Sequence, residues 1–156
     1  STKIQKISLI SKNNWRKVLV FELFLVISQS ERKKHPLNKG KTLNIIFTDL
    51  TDDTLTATMP VTPKIHQPYG IMHGGASCVL AETLGSCLSV IHVDTEKFAP
   101  VGTNINSTIG SKKEGIVTGT ARFIRKGNTM HVSEIEIRDE KGNLINHTTM
   151  TNNIIP

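Results

Sequence analysis

The sequence predicts an α+β domain in which an antiparallel sheet of about six strands wraps one long central helix, with an extra helix ahead of it near the N-terminus. Three observations lead there. The run from Gly74 to about His92 has helical spacing, with Ala76, Val79, Leu80, Thr83, Leu84, Cys87, Leu88 and Ile91 covering far more than one stripe, as in a helix buried on most sides. Six short runs rich in β-branched residues surround it in the chain, separated by turn residues. Within Met130 to Ile137, Val132, Glu134 and Glu136 can share a face opposite Ser133, Ile135 and Ile137, the pattern of an antiparallel sheet with one buried face.

Taken in order, the elements divide into residues 1–42, a basic helix and linker, and residues 43–156, the sheet-and-helix domain. Asn14 is suited to cap a helix from Trp15 to about Gln29. Its apolar stretch, Val18 to Ile27, is ten residues long and interrupted by Glu22, against the roughly 20 needed to cross a bilayer. Ser28-Gln29-Ser30 is a poor cleavage site for a leader, so the expectation is a packing helix. Glu31 to Lys41 reads as a solvated linker broken by Pro36 and Gly40. Gly40-Lys41-Thr42 ends like a phosphate-binding loop, but the glycine required five residues earlier is His35. Strands are then expected at Leu43 to Asp49 and Thr54 to Met59, paired around Thr51-Asp52-Asp53. A proline-bounded loop from Pro60 to His73 leads into the central helix. Further strands are expected at Pro100 to Thr108, Gly115 to Arg125, Met130 to Arg138 and Leu144 to Asn153, the last pair joined by a turn at Asp139 to Asn143.

Composition narrows the function. At 156 residues and 37% hydrophobic, the chain suits one aliphatic core, and 4% aromatic residues make a base-stacking surface a poor fit. Net charge is +6, yet residues 1–41 hold ten Lys and Arg against Glu22 and Glu31, so the remaining 115 residues carry nine against eleven. A near-neutral body with a basic arm argues against nucleic acid, and leaves the arm as a solubilising segment or one that meets an acidic partner. Cys78 and Cys87 are nine residues apart on the expected helix, about 13 Å, so they cannot pair, which favours a reducing, cytoplasmic setting. No metal site is expected, because His66 and His73 have no cysteine or carboxylate at ligand spacing. Gly75-Ala76-Ser77-Cys78-Val79 lacks the closing glycine of a serine-hydrolase elbow.

Chemistry then centres on Glu82, the single ionisable group among the apolar positions of the helix. A buried carboxylate is costly unless paired or used. It can cap a backbone or meet a lysine; equally, it can serve as general base towards water or as nucleophile at a carbonyl. Gly74 and Gly75 open the helix, where amide N–H groups and the positive dipole end can hold a developing oxyanion, or simply begin a helix. His73 can orient that loop, contact a substrate, or be structural. Glu82 follows Gly74 by eight residues, about 12 Å of helix, too far for both to serve one carbonyl. Two antiparallel helices at a twofold axis would bring the glycines of one chain to the carboxylate of the other, predicting a homodimer with two shared sites.

The stretch Gln67-Pro68-Tyr69-Gly70-Ile71-Met72-His73-Gly74-Gly75-Ala76-Ser77, followed by Ala81-Glu82-Thr83-Leu84-Gly85-Ser86, resembles the hotdog-fold acyl-CoA thioesterases. The likeness is to their aryl and hydroxybenzoyl-CoA type, the group of dihydroxynaphthoyl-CoA thioesterase and the enterobactin proofreading thioesterase. It runs from about Leu43 to Ile154 and is most specific in His-Gly-Gly with an acidic residue seven positions after Gly75; the phenylacetyl branch usually carries Asp there. The resemblance implies a hotdog fold, hydrolysis of acyl-CoA with coenzyme A as part of the substrate and no other cofactor, and dimers that often pair into tetramers. It implies a catalytic role for Glu82, contact of Gln67 with the thioester or attacking water, and a hydrogen bond from Ser86 to that water or to the carboxylate. Gln67-Pro68 as a loop corner and Ser86 bonded back to its helix are the structural alternatives. Asn106 falls in a family-like stretch on the substrate side. After it, Ser107 to Gly115 is one residue shorter than in relatives and lacks their early basic residue, so Lys112 and Lys113 are candidates for the phosphates of coenzyme A, or else solvated surface. Two other functions fit the same fold: a non-catalytic acyl-CoA-binding module, and a thioesterase for acyl groups on an acidic carrier protein that meets the basic arm.

Overall fold

The computed structural model describes residues 43–156. The expected helix from Trp15 to Gln29, its linker and the boundary at residue 42 lie outside the described residues. Six strands and one long helix follow: β1 (Ile46–Leu50), β2 (Thr54–Val61), a short 3-10 turn (Pro63–Ile65), α1 (Gly74–Val90), β3 (Ala99–Ile109), β4 (Gly115–Lys126), β5 (Met130–Asp139) and β6 (Leu144–Ile155). They form one antiparallel sheet in the order β1-β2-β4-β5-β6-β3. Among the described residues, the expected central helix and six strands are present. The main shift is at the first strand, which begins at Ile46 because Asn44 turns the chain in the left-handed region at φ 51°.

Alternation decides which face is buried. In β2, Leu55, Ala57, Met59 and Val61 point inward between outward Thr54, Thr56, Thr58 and Pro60. In β5, Ser133, Ile135 and Ile137 are buried and Val132, Glu134 and Glu136 are not, as the sequence predicts. The inward rows close on Leu80, Leu84 and Leu88 of α1, each with no accessible surface. Burying one such leucine contributes about 1.5–3 kcal/mol. Helix and sheet approach so closely that a Cβ on Gly119 would lie 2.6 Å from Leu84 Cδ1, and one on Gly85 2.8 Å from Met150 Sδ. The C-terminal end of α1 is anchored by His92, whose ring nitrogens lie 2.8 Å from the Leu88 carbonyl and 2.7 Å from the Asp52 carbonyl in the β1–β2 turn.

One expectation is corrected. The helix was predicted to be buried on most sides, with Glu82 among its buried positions. Instead α1 keeps an open stripe, on which Gly75, Val79 and Glu82 are exposed and Cys78, Thr83, Ser86 and Val90 half-buried. The sheet curls round the opposite face only. The apolar pattern of α1 is therefore broader than the face that this sheet buries. Among the described residues, no helix is long and apolar enough to cross a membrane.

Candidate active site

The loop ahead of α1 is held by its own backbone. Gln67 N–H donates to the Ile71 carbonyl and Gly70 N–H to the Gln67 carbonyl, both at 2.9 Å, closing a turn that Gly70 permits at φ 72°. His73 N–H reaches the Ile65 carbonyl and Met72 N–H the Lys112 carbonyl, each at 2.7 Å. Both backbone groups of Gln67 are thus consumed within the turn. Its side chain is half-buried and remains available.

His73 is the N-cap of α1. Its Nδ1 accepts from Gly75 N–H at 2.9 Å, and its carbonyl accepts from Ala76 N–H at 2.9 Å. Accepting through Nδ1 leaves Nε2 as the ring nitrogen that points away from the cap. Of the first-turn amides, Gly74 N–H is the one His73 leaves open. The N–H of Gly75, expected to face a substrate, is spent on the cap instead.

Glu82 lies two turns along the same ridge, and Ser86 Oγ donates to its Oε1 at 2.8 Å. That bond is one of the two contacts that the resemblance implies for Ser86. Gly74 and Glu82 belong to one continuous helix, so the separation of about 12 Å stands. Both face away from the core. The nearby thiol of Cys87 is unsuited to nucleophilic work, since burial, with Glu82 adding to it, pushes its pKa up to about 12.

The remaining expected residues are scattered. Asn106 pairs with Thr149 on the outer face of β3, whereas Ile109 on the inner face packs on the helix start, 3.1 Å from a Cβ built on Gly74. Within the chain, then, Asn106 is not brought to Gly74. Lys112 donates to Glu140 Oε2 at 2.8 Å and lies 3.5 Å from Asp139 Oδ2, which, led by the Glu140 bond, raises its pKa. Lys113 is exposed.

Sequence reasoning missed a buried polar row beside the site. Ser77 Oγ donates to the Gly74 carbonyl at 2.7 Å, Asn146 Nδ2 to Ser77 Oγ at 3.0 Å, and Thr148 Oγ1 to Asn146 Oδ1 at 2.6 Å; Ser107 Oγ lies 2.5 Å from Thr148 Oγ1. Ser77, Asn146 and Thr148 are buried, and half-buried Ser107 stands on the open edge strand β3. The available signal was polar residues at inward positions of β6. Among the described residues, no group of three or more His, Cys, Asp or Glu is arranged to hold a metal ion.

Comparison with known proteins follows the same lines. The family model of the thioesterase superfamily matches residues 69–146, which span the last residues of the loop, α1, β3 to β5 and the start of β6. The chain is 42% identical over 114 residues to 1,4-dihydroxy-2-naphthoyl-CoA hydrolase of Escherichia coli K12, covering 72% of this chain and 83% of that one. It is 36% identical over 129 residues to the proofreading thioesterase EntH of Cronobacter sakazakii, covering 82% and 88%. Among solved structures, a thioesterase of Pseudomonas aeruginosa with a glutamine-to-alanine substitution superposes with a TM-score of 0.76 at 37% identity, covering 83% of this chain and 91% of that one.

Proposed function

Because the chain belongs to the thioesterase superfamily and is a thioester hydrolase of hotdog fold, we propose that it cleaves acyl-CoA thioesters bearing aryl or medium-size acyl groups, giving free acid and coenzyme A. The observation that carries this reading is the open ridge of α1, which holds an uncommitted helix-start N–H at Gly74 and, about 12 Å on, a carboxylate oriented by Ser86. A second copy laid antiparallel across that ridge brings Glu82 of one protomer to Gly74 of the other and removes both from water. The exposed apolar side chain of Val79, 38% accessible in the single chain, supports a covered ridge.

In the shared site the thioester oxygen sits at Gly74 N–H, where the helix dipole favours the charge that develops on it. As general base, Glu82 takes a proton from water while the water oxygen bonds to the carbonyl carbon. The tetrahedral oxyanion then collapses, the C–S bond breaks and the leaving thiolate takes up a proton. As nucleophile, Glu82 bonds to the carbonyl carbon while the C–S bond breaks and the leaving thiolate takes up a proton, giving an anhydride that water then opens to the free acid and the Glu82 carboxylate. Single turnover in ¹⁸O-water tests the nucleophilic route, since label enters the Glu82 carboxyl group only when water opens such an anhydride at that group. Gln67, half-buried at the loop corner, holds the thioester or attacking water, and His73 holds the helix start through Gly75. Lys113 meets the phosphates of coenzyme A, which enters as substrate; Lys112 has acidic partners of its own, and Asn106 would reach substrate only from the outer face of β3.

The aryl preference draws on the naphthoyl-CoA relative. A carrier-bound acyl group is the second reading, favoured by the basic charge of residues 1–41. A cytoplasmic setting accords with the free thiols Cys78 and Cys87. The deciding experiment measures thiol release from benzoyl-CoA, from hydroxybenzoyl-CoA and from the same acyl groups on a carrier protein. Release from CoA thioesters is expected; binding without release from any of them would sink the proposal, and release from carrier thioesters alone would replace it with the second reading.

A further inference from the structure

The polar row beside the helix start has a direction. Gly74's carbonyl can only accept, so Ser77 spends its single proton there at 2.7 Å and must accept from Asn146 Nδ2. The opposite amide orientation would set Asn146 Oδ1 against Ser77 Oγ with no proton between them, so the helix-start bond selects the orientation. Asn146 Oδ1 then takes the proton of Thr148, and Thr148, left with lone pairs, takes the proton of Ser107 at 2.5 Å. Each donor is used once. At the open end, Ser107 has nothing left to donate, and its oxygen offers lone pairs alone.

That oxygen stands in a telling place. Ser107 lies on the inner face of β3 between Ile105 and Ile109, which are 44% and 47% accessible. Ile109 packs on Gly74, and Ser107 lies two residues, about 7 Å, back along the strand from it. An acceptor flanked by apolar side chains is costly when a bound molecule displaces its water without offering a donor.

We propose that Ser107 is a specificity-determining residue, which accepts a hydrogen bond from an O–H or N–H carried by the thioester substrate a few ångströms from its carbonyl. The inference rests on the reading above for the carbonyl's position at Gly74. Two parts of an acyl-CoA can supply the donor, a hydroxyl on the acyl group or the first amide of the pantetheine arm. The buried row decides the polarity of the choice by holding Ser107 as acceptor.

The test compares kcat/KM of wild type and Ser107→Ala on benzoyl-CoA, 3-hydroxybenzoyl-CoA and the benzoyl thioester of ethanethiol, which lacks the amide. A hydroxyl donor predicts a loss of about tenfold confined to the hydroxybenzoyl substrate; an amide donor predicts that loss on both CoA thioesters and none on the ethanethiol ester. Thr148→Val returns the proton to Ser107, so 3-methoxybenzoyl-CoA, which can only accept, should gain on benzoyl-CoA in that variant and not in wild type. A purely structural role would not produce this reversal. Should no thioester be hydrolysed, the proposed function fails, yet calorimetric affinities of S-benzyl-CoA and S-(3-hydroxybenzyl)-CoA for wild type and Ser107→Ala still read the preference. An equal loss on every thioester or no loss on any, or unchanged affinity for both thioethers, overturns the assignment.

Discussion

Glu82 sits in the open with one hydrogen bond, from Ser86, so its replacement leaves the core of the chain untouched. Glu82→Gln keeps the shape and removes the base or nucleophile; turnover should fall at least about a hundredfold with an unchanged thermal midpoint. Turnover within a few-fold of wild type would remove Glu82 from the mechanism. The two lysines that looked equivalent in sequence differ in space. Lys113→Glu should raise KM for acyl-CoA and leave that for a truncated acyl-pantetheine unchanged, measured by initial rates; equal effects on both would mean that Lys113 does not meet the phosphates. Lys112→Met should act on stability instead. Its ammonium and neighbouring backbone groups hold the carboxyls of Asp139 and Glu140 at about 2, led by bonds from Asn143 and from Lys112 respectively. Carboxyls held below the unfolded value of about 4 add stability that is present above that pH and lost as pH falls towards 2. The variant should therefore lose less of its thermal midpoint than wild type between pH 5 and 2, and parallel curves would show that the Lys112 bonds contribute nothing.

At the scale of elements, α1 and the sheet are matched by contact distance as much as by hydrophobicity. Gly119 on β4 lets Leu84 approach, and Gly119→Ala should cost about 1–3 kcal/mol in urea unfolding, because a Cβ there would stand 2.6 Å from Leu84 Cδ1. A cost near zero would show that Leu84 turns aside freely. The strands and the helix were legible because alternation in β5 and helical spacing in α1 are local periodicities. The site was legible in part. His73, Gly74 and Glu82 are close in sequence and share one loop and helix, so their ridge could be read directly. Asn106 and Ser107 are adjacent, yet the pleat sends them to opposite faces, and the register with Thr149 and Thr148 settles which one meets the helix. Ser77, Asn146 and Thr148 are far apart in the chain, and no local pattern joins them.

For the molecule as a whole, the proposed mechanism calls for two chains. Val79 and Glu82 are exposed on the central helix and Glu82 lies about 12 Å of helix beyond Gly74, so under that mechanism each end of the ridge supplies half of a site. If Glu82→Ala and Gln67→Ala each leave less than about a tenth of wild-type activity, co-refolding equal amounts should restore roughly a quarter, since half the dimers are mixed and each mixed dimer has one intact site. Activity equal to the average of the parents, with mixed dimers seen by native mass spectrometry, would refute the shared site. By itself the sequence determined the element order over residues 43–156, the alternation of β5, the helix with its single carboxylate and the eight-residue spacing from Gly74, because each is set by neighbours a few residues apart. Tertiary structure alone decided that one face of α1 stays open, that Lys112 belongs to Asp139 and Glu140, and that Ser107 joins the buried polar row at Thr148. Those depend on which strands lie side by side and in what register, and β3 reaches the sheet's edge only by pairing with a strand some forty residues further on.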